Sequence, residues 1–435
     1  MAGSASNSCW VTVMHDLHGR FRRLDRLATP NLWNEAVGRA AELELGPRRA
    51  FNPSIALIAA ALMPAALAGT LMVGGWLNRP SPLPEIVTYD NGLIVGEEQC
   101  GRIVGIHPAS FESQELVAGV DCSFRGWGGT AWSSDGSRLA YLGPEFAAQG
   151  GVWVLEAATG ETRRLDPCPD VGCGLVDISS DGSLVTYVAY RGVGTSQMVI
   201  MEVDSGEEYR VELTGQARRP RFSPDGSRIA IPLIGGRSGI YLVDLGRFDD
   251  GQVGDLTPMS GLIDADDVTW SPDGEWIAYT QSGGLGDADG QMLSNGQGGR
   301  SGDGLVVTRT DGSQTRVLAT GPGETGPRLP TWSPDSASVA YVTTPTPAGA
   351  RQPWMLEVWT VAIDGGEPTR IYESGRSAEL GPPDWSPNGE WIAFGQFVFD
   401  RPSQSGTYLV RPDGSDLRRA SELFLAPVWQ PIPKD

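Results

Sequence analysis

The sequence predicts an all-β protein, a β-propeller of four-stranded blades that follows an N-terminal region of different composition. An eleven-residue pattern, fullest at Thr269–Tyr279, occurs six times, and a truncated seventh copy ends the chain. The anchor residues of these copies are separated by 46, 44, 48, 62, 53 and 44 residues, a period typical of propeller blades. The chain also contains 58 Gly and 32 Pro, which suits a protein rich in turns.

Each copy of the pattern reads as two short strands joined by a Ser-Pro-Asp-Gly turn. In the fullest copy Trp270 is the large ring to bury, Pro272 presets φ for the turn, and Gly274 tolerates a positive φ. The side chain of Asp273 can accept hydrogen bonds from nearby backbone N–H groups, so turn closure explains the repeated aspartates better than a metal site does. The same structural roles are predicted for Trp132, Phe222, Trp332, Trp385, Trp429, Asp135, Asp181, Asp225 and Asp335.

The pattern Trp-Ser-Pro-Asp-Gly-x-x-Ile-Ala-Tyr resembles the WD40-like (PD40) repeat of TolB-type propellers, and the resemblance covers roughly residues 85–435. Related propellers precede the hydrolase domain of prolyl oligopeptidase-like enzymes. The resemblance implies the fold and suggests protein interactions at a bacterial cell envelope. It implies no site, because the matching residues build the blade.

The number of predicted strands indicates seven blades. We call the anchor strand A and the next three B, C and D; six complete A–D units run from about residue 129 to about 420. The last strand, Ala426–Trp429, is an A strand with nothing after it, whereas Gly92–Gly96, Arg102–Ile106 and Glu115–Val120 read as B, C and D without an A. We therefore expect the two ends of the chain to share a seventh blade, which removes the open sheet edges. Six blades, with the N-terminal strands arranged otherwise, is the alternative.

The N-terminal region, residues 1–53, reads as a basic, partly helical cytoplasmic tail. It contains seven Arg and five acidic residues, so its net charge is +2, whereas the net charge of the whole chain is −20. The tail either lies on anionic lipid or docks a cytoplasmic partner. Residues 28–33 resemble tails of actinobacterial membrane proteins.

Residues 54–77 carry no charge and are long enough to cross a bilayer as a helix. Because Arg48 and Arg49 precede this segment, the positive-inside rule places the N-terminus in the cytoplasm. Residues 78–85 then form a Pro-rich linker, and the propeller, residues 86–435, lies outside the membrane. A signal peptide cleaved near Ala68 is the competing interpretation. The preferred prediction is a single-pass protein of the cell membrane.

Cysteine positions agree with this topology. Cys9 lies on the cytoplasmic side and four cysteines lie outside, where an oxidising compartment favours disulfides. We predict one disulfide between Cys168 and Cys173 and another between Cys100 and Cys122. In an up-and-down meander, B–C and D–A loops share one face, and Cys100 and Cys122 fall in loops of these two kinds. A zinc site is the alternative, although no Cys-x2-Cys pair is present.

The sequence does not favour catalysis. His107 is the single histidine of the external region, and no Gly-x-Ser-x-Gly elbow or hydrolase-type sequence accompanies it. A carbohydrate hydrolase or lyase that uses carboxylate pairs is the less favoured alternative. The net charge of −20 argues against a nucleic-acid partner, because phosphate binding needs clustered positive charge.

Two long B–C segments on neighbouring blades, Gly283–Gly304 and Thr343–Pro353, are predicted to leave the same face. Asp287, Asp289 and Asp303 are weak calcium candidates, and no other cofactor is expected. Since loops on a rigid scaffold often carry recognition, we predict a partner-binding surface here. Its predicted residues are Asp287, Gln291, Asn295, Arg351 and Trp354.

These observations predict a membrane-anchored, extracytoplasmic and monomeric propeller that binds an envelope protein or a glycan. The alternative is a transmembrane sensor that couples ligand binding to the basic tail. The sequence does not identify the ligand.

Overall fold

The computed structural model describes most of the propeller. The described residues are 91–98, 102–118, 129–143, 151–166, 168, 172–190, 195–234, 238–246, 256–259, 264–282, 303–321, 326–344, 356–374, 378–423 and 425–432. The predicted tail (1–53), membrane segment (54–77) and linker (78–85) lie outside them. Within the described part of the chain, no helix is long and apolar enough to span a membrane.

The described strands form seven antiparallel sheets, the blades of an all-β propeller. Blade 1 contains β4 (Thr130–Trp132), β5 (Arg138–Gly143), β6 (Gly151–Glu156) and β7 (Thr162–Asp166). Blade 2 contains β8 (Cys173–Ile178), β9 (Leu184–Tyr190), β10 (Thr195–Glu202) and β11 (Glu208–Thr214). Blade 3 contains β12 (Gln216–Ala217), β13 (Arg221–Phe222), β14 (Arg228–Ile234), β15 (Gly239–Asp244) and β16 (Thr257–Pro258).

Blade 4 contains β17 (Asp264–Trp270), β18 (Trp276–Ser282), β19 (Asp303–Arg309) and β20 (Thr315–Gly321). Blade 5 contains β21 (Arg328–Trp332), β22 (Ser338–Thr343), β23 (Glu357–Ala362) and β24 (Thr369–Glu373). Blade 6 contains β25 (Ala378–Leu380), β26 (Asp384–Trp385), β27 (Ile392–Val398), a 3-10 turn at Pro402–Gln404, β28 (Gly406–Val410) and β29 (Arg418–Ser421). In blades 3 and 6 the A strand consists of two pieces that pair with one B strand.

Blade 7 joins the two ends of the propeller, as the sequence predicts. Its B, C and D strands are β1 (Ile94–Glu98), β2 (Arg102–Ile106) and β3 (Ser113–Val117), and its A strand is β30 (Val428–Trp429). Ile94 pairs with Trp429 and Val95 with Val428. The seven-bladed prediction is therefore confirmed, and the six-bladed alternative is wrong.

The core of the protein lies between the blades. An apolar cluster of described residues separates each sheet from the next all the way around the ring. Between blades 2 and 3, for example, Met198 and Ile200 pack with Ile229 and Ile231, and all four are fully buried. Burying one such side chain contributes about 1.5–3 kcal/mol. Each blade therefore depends on two neighbours for its stability.

The repeated turns have one common hydrogen-bond pattern. In blade 4, Asp273 Oδ1 accepts from Ser271 Oγ at 2.5 Å and from Glu275 N at 2.9 Å. Ser271 Oγ also accepts from Trp276 N at 2.9 Å, which joins the turn to the B strand. The corresponding side chains that accept in the other turns are Asp135, Asp181, Asp225, Asp335 and Asn388.

One of the two predicted disulfides lies in the described residues. Cys168 and Cys173 are bonded, with Cα atoms 5.7 Å apart, and they link the end of blade 1 to the first strand of blade 2. This prediction is confirmed. Cys100 and Cys122 lie outside the described residues.

Two turn glycines with the same conformation give a test of ring closure. Gly136 has φ +68° and Gly274 has φ +73°. A Cβ on Gly274 would lie 4.0 Å from Pro224 Cδ, whereas a Cβ on Gly136 would lie 2.2 Å from the carbonyl oxygen of Pro431, just after the closing strand. We expect Gly274→Ala to lower the free energy of unfolding by about 1–2 kcal/mol, the cost of a left-handed residue.

We expect Gly136→Ala to cost a further ~1–3 kcal/mol, because the closing segment must move. Equilibrium unfolding in urea, followed by tryptophan fluorescence, measures both variants. Equal losses for the two variants would contradict the proposed importance of contact between this turn and the closing segment.

Candidate functional site

All five predicted partner-binding residues lie outside the described residues: Asp287, Gln291, Asn295, Arg351 and Trp354. Of the three calcium candidates, Asp287 and Asp289 lie outside them as well. The third candidate, Asp303, is the half-buried first residue of β19. No group of three or more His, Cys, Asp or Glu side chains in the described part of the chain could hold a metal ion. His107 closes a turn, where its Nδ1 accepts from Ser110 N at 3.0 Å.

The strand ends that carry the two long segments lie at one face of the ring. In blade 4, Ser282 at the end of the B strand pairs with Asp264 at the beginning of the A strand. In blade 5, Val342, one residue from the end of the B strand, pairs with Arg328, where the A strand begins. We call this face, at which A strands begin and B–C segments attach, the B–C face.

The A strands line the centre of the ring, because consecutive A strands contact one another around the whole circle. Five charged side chains on or beside these strands form what we call the collar. Its members are Asp177, Arg219, Arg221, Asp267 and Asp384. Arg221 of blade 3 interacts electrostatically with Asp384 of blade 6, although these blades are not neighbours. The collar therefore spans the central channel.

The carboxylates of the collar bind the backbone of the next blade. Asp177 accepts from Phe222 N at 2.9 Å, and Asp384 accepts from Trp429 N at 2.7 Å. In both cases the aspartate comes directly before its own anchor and reaches the anchor N–H of the following blade. Asp267 likewise accepts from the N–H of Leu329 at 3.2 Å. These bonds join adjacent blades beside the channel.

Burial raises the pKa of all three collar carboxyls. It raises the pKa of Asp384 to about 6, against the opposing effect of the Trp429 N–H, Thr331 and Arg221. Burial also raises the pKa of Asp177 and of Asp267, and the hydrogen bonds that these groups accept only partly offset it. One carboxyl in the channel therefore titrates close to neutral pH.

The two arginines differ in how well they are paired. Arg221 Nη1 lies 3.2 Å from Asp177 Oδ1, and its side chain is 33% exposed. Arg219 is half-buried and makes no hydrogen bond or ion pair with the described residues, and its Nη2 is a buried donor without a partner. Burial, and then the positive charge of Arg221, lowers the pKa of Arg219. The collar thus contains one guanidinium group that the described protein does not satisfy.

Irregular backbone positions this charge. Leu175, Asp267 and Leu329 have φ of +62°, +49° and +52°, and each lies three residues before the anchor of its blade. Arg219 holds the same position in blade 3, between the two pieces of the broken A strand. The A strands therefore depart from regular pairing at one level of the channel, on the B–C side of the anchors.

No protein-family model matches the chain. Solved structures of similar fold include an oligogalacturonate lyase from Vibrio parahaemolyticus, 12% identical, with a TM-score of 0.53 over 75% of this chain and 92% of that one. A prolyl endopeptidase is 10% identical with a TM-score of 0.52, and the match covers 78% of this chain and 49% of the enzyme. TolB from Acinetobacter baumannii is 14% identical over 80% of this chain and 69% of TolB, with a TM-score of 0.46. At such identities the likeness shows the propeller fold alone.

The sequence contained a usable signal for the collar. Aspartate or arginine stands directly before the anchor in blades 2, 3 and 6, at Asp177, Arg221 and Asp384. A charged residue inside an internal strand indicates either a polar contact between two adjacent blades, which we call a seam, or a binding site. None of these three residues was among the predicted site residues, because the position also reads as an ordinary part of the strand.

Asp384 provides a test of how the collar carboxylates act. Because its folded pKa of about 6 lies above the ordinary 3.8, its contribution to stability falls as the pH rises from about 4 to about 6. Asp384→Asn keeps an oxygen that can accept from Trp429 N–H and removes the charge. We expect this variant to be at least as stable as the wild type at pH 7.5 and to lack that loss.

Asp384→Ala leaves the Trp429 N–H without an acceptor, and we expect it to lose about 1–3 kcal/mol of unfolding free energy. Urea unfolding of the three proteins at pH 4.5 and pH 7.5 makes the comparison. If the Asn and Ala variants lose the same free energy at pH 7.5, the hydrogen bond to the closing strand is not what Asp384 contributes.

Proposed function

We propose that this chain is a membrane-anchored, extracytoplasmic binding module. It recognises an envelope protein or another ligand at the B–C face, around the mouth of the central channel. The observation that carries this proposal is the collar, in which the half-buried guanidinium group of Arg219 lies in the channel and pairs with no described residue. An uncompensated buried charge is costly, and groups with strongly perturbed pKa values cluster at functional sites.

The position of the collar supports the same face that the sequence analysis favours. Arg219 lies on the B–C side of the anchors, and the strand ends at Ser282, Asp303, Thr343 and Glu357 carry the two long segments at that face. A ligand in the channel mouth and a partner on the loops would therefore share one surface. Small ligands commonly enter concave sites of this kind.

The extracytoplasmic location rests on the sequence and gains support from the disulfide. The uncharged segment 54–77 and the preceding Arg48 and Arg49 favour an anchor with the propeller outside. The Cys168–Cys173 disulfide is of the kind that persists in oxidising compartments and is rare in the cytosol.

Two other functions follow from the same features. A sensor would use the anchor to pass ligand binding to the basic tail, so deletion of residues 1–53 would abolish its output while ligand binding survives. A carbohydrate hydrolase or lyase would use collar carboxyls, and Asp384 is the one favoured by its pKa near 6. Such an enzyme would lose turnover on Asp384→Asn substitution, whereas a binding module would show no turnover in either form.

Photo-crosslinking in cells tests the proposed face. A photoreactive amino acid at Gln291, in the long segment of blade 4, is expected to give one dominant protein adduct, identified by mass spectrometry. Asp311 is the matched control, because it is exposed in the C–D turn of the same blade, at the opposite face. We expect no such adduct from Asp311.

Deletion of residues 284–302 is expected to abolish the crosslinked interaction when it is assayed by co-purification. The proposal of a partner-binding B–C face is wrong if both crosslinking positions give the same adducts. It is also wrong if the deletion leaves every interaction of the propeller intact.

A further inference from the structure

We propose that the collar binds a single carboxylate group, held between the guanidinium groups of Arg219 and Arg221. This inference rests on the proposed binding function and specifies the chemistry of its ligand. The ligand is thus an acidic small molecule, or an acidic group of a larger one, that enters the channel from the B–C face.

Each of the two arginines has a buried donor without a partner among the described residues. Arg219 has no hydrogen bond or ion pair with the described residues, and the Nε of Arg221 is a second buried donor without a partner. Burial lowers the pKa of Arg219, and the positive charge of Arg221 lowers it further, because the two charges repel each other. Leaving a charged donor unsatisfied inside a protein destabilises the folded state. An anion between the two groups would remove both costs.

The neighbouring aspartates already accept hydrogen bonds from the backbone of the next blade. Asp267 accepts from Leu329 N, and Asp177 accepts from Phe222 N as well as pairing with Arg221. These carboxylates lower the electrostatic cost of Arg219 without forming hydrogen bonds to it. They form seams between blades, and turning them toward Arg219 would break those seams. The missing acceptor must therefore come from outside the described protein.

The charges of the collar indicate the charge of the ligand. The collar combines two guanidinium groups with three carboxyls, so a dianion such as phosphate would meet strong repulsion from Asp177, Asp267 and Asp384. A carboxylate adds one negative charge, and its two coplanar oxygens match the planar donor array of arginine. The collar therefore favours a carboxylate over a phosphate.

The test uses the full-length chain purified in detergent, with thermal unfolding followed by its tryptophan fluorescence. The probes are D-glucuronate, its uncharged counterpart D-glucose, and inorganic phosphate, at equal ionic strength and low chloride. We expect glucuronate at ten times its dissociation constant to raise the unfolding midpoint by about 2 °C. Glucose is expected to give no shift, and phosphate a smaller shift than glucuronate.

Arg219→Gln is the decisive variant, and it makes two predictions. It should lose the glucuronate shift, and without ligand it should unfold at the same temperature as the wild type or higher, because an unpaired buried charge is removed. A merely structural arginine would instead lower the midpoint when replaced. Arg219→Lys, which keeps the charge but not the planar fork, should keep only part of the shift. Arg418→Gln is the matched control: it removes an exposed arginine paired with Asp416 on blade 6, and it should keep the full shift.

The inference is overturned if glucuronate gives no shift, if phosphate stabilises the wild type as much as glucuronate does, or if Arg219→Gln retains the shift. Its failure can be told apart from failure of the proposed function, because crosslinking from Gln291 does not depend on the collar. A protein adduct from Gln291 without a carboxylate shift would overturn this inference alone.

Discussion

Backbone pairing between β30 and β1 is the contact on which the remaining structure depends. Each blade buries its apolar faces only against its two neighbours, so a ring that opens at one seam exposes the faces of two sheets. The residue after the closing strand strengthens the seam: Gln430 N donates to Leu93 O at 2.8 Å, and Gln430 Nε2 donates to Gly136 O at 3.0 Å. Together with the bond from Trp429 N to Asp384, the last strand and its flank thus bond to blades 6, 7 and 1.

The charge of the channel follows from how the seams are built. At the centre of the ring the A strands have no further strand inside them, and the anchor N–H of one blade needs an acceptor from its neighbour. In blades 2 and 6 an aspartate supplies it, at the cost of burying a carboxylate. In blades 4 and 5 the anchor indole instead donates across the seam, from Trp270 to Arg221 O and from Trp332 to Thr269 O, at 3.0 and 3.2 Å. Both kinds of seam bring charge to the channel, because the seam between blades 4 and 5 also contains Asp267, which accepts from Leu329 N at 3.2 Å.

The fold was predictable because its signals are local and repeated. Turn chemistry like that at Asp273 and Gly274 recurs in blades 1 to 6, and the unpaired strands at the two ends complement each other. The collar was harder to predict, since it forms where residues far apart in the chain meet across the channel, as Arg221 and Asp384 do. The positive φ of Leu175 and Leu329 also left no sequence signal, because both residues are poor candidates for a left-handed conformation. Tertiary packing imposes that conformation.

The fixed backbone around Arg219 explains why this side chain can be kept without a partner among the described residues. In a loop, a guanidinium group without an acceptor would turn toward water, but Arg219 lies between β12 and β13, two pairs of residues that are each bonded to β14. The adjacent Pro220 further restricts the backbone. Neighbouring aspartates are fixed by the seams and cannot rotate to meet it without weakening the ring. A site that is both unsatisfied and unable to relax is preorganised, so a ligand need not supply the energy to assemble it. The stability of the closed ring offsets the cost of keeping Arg219 in the channel without an acceptor among the described residues.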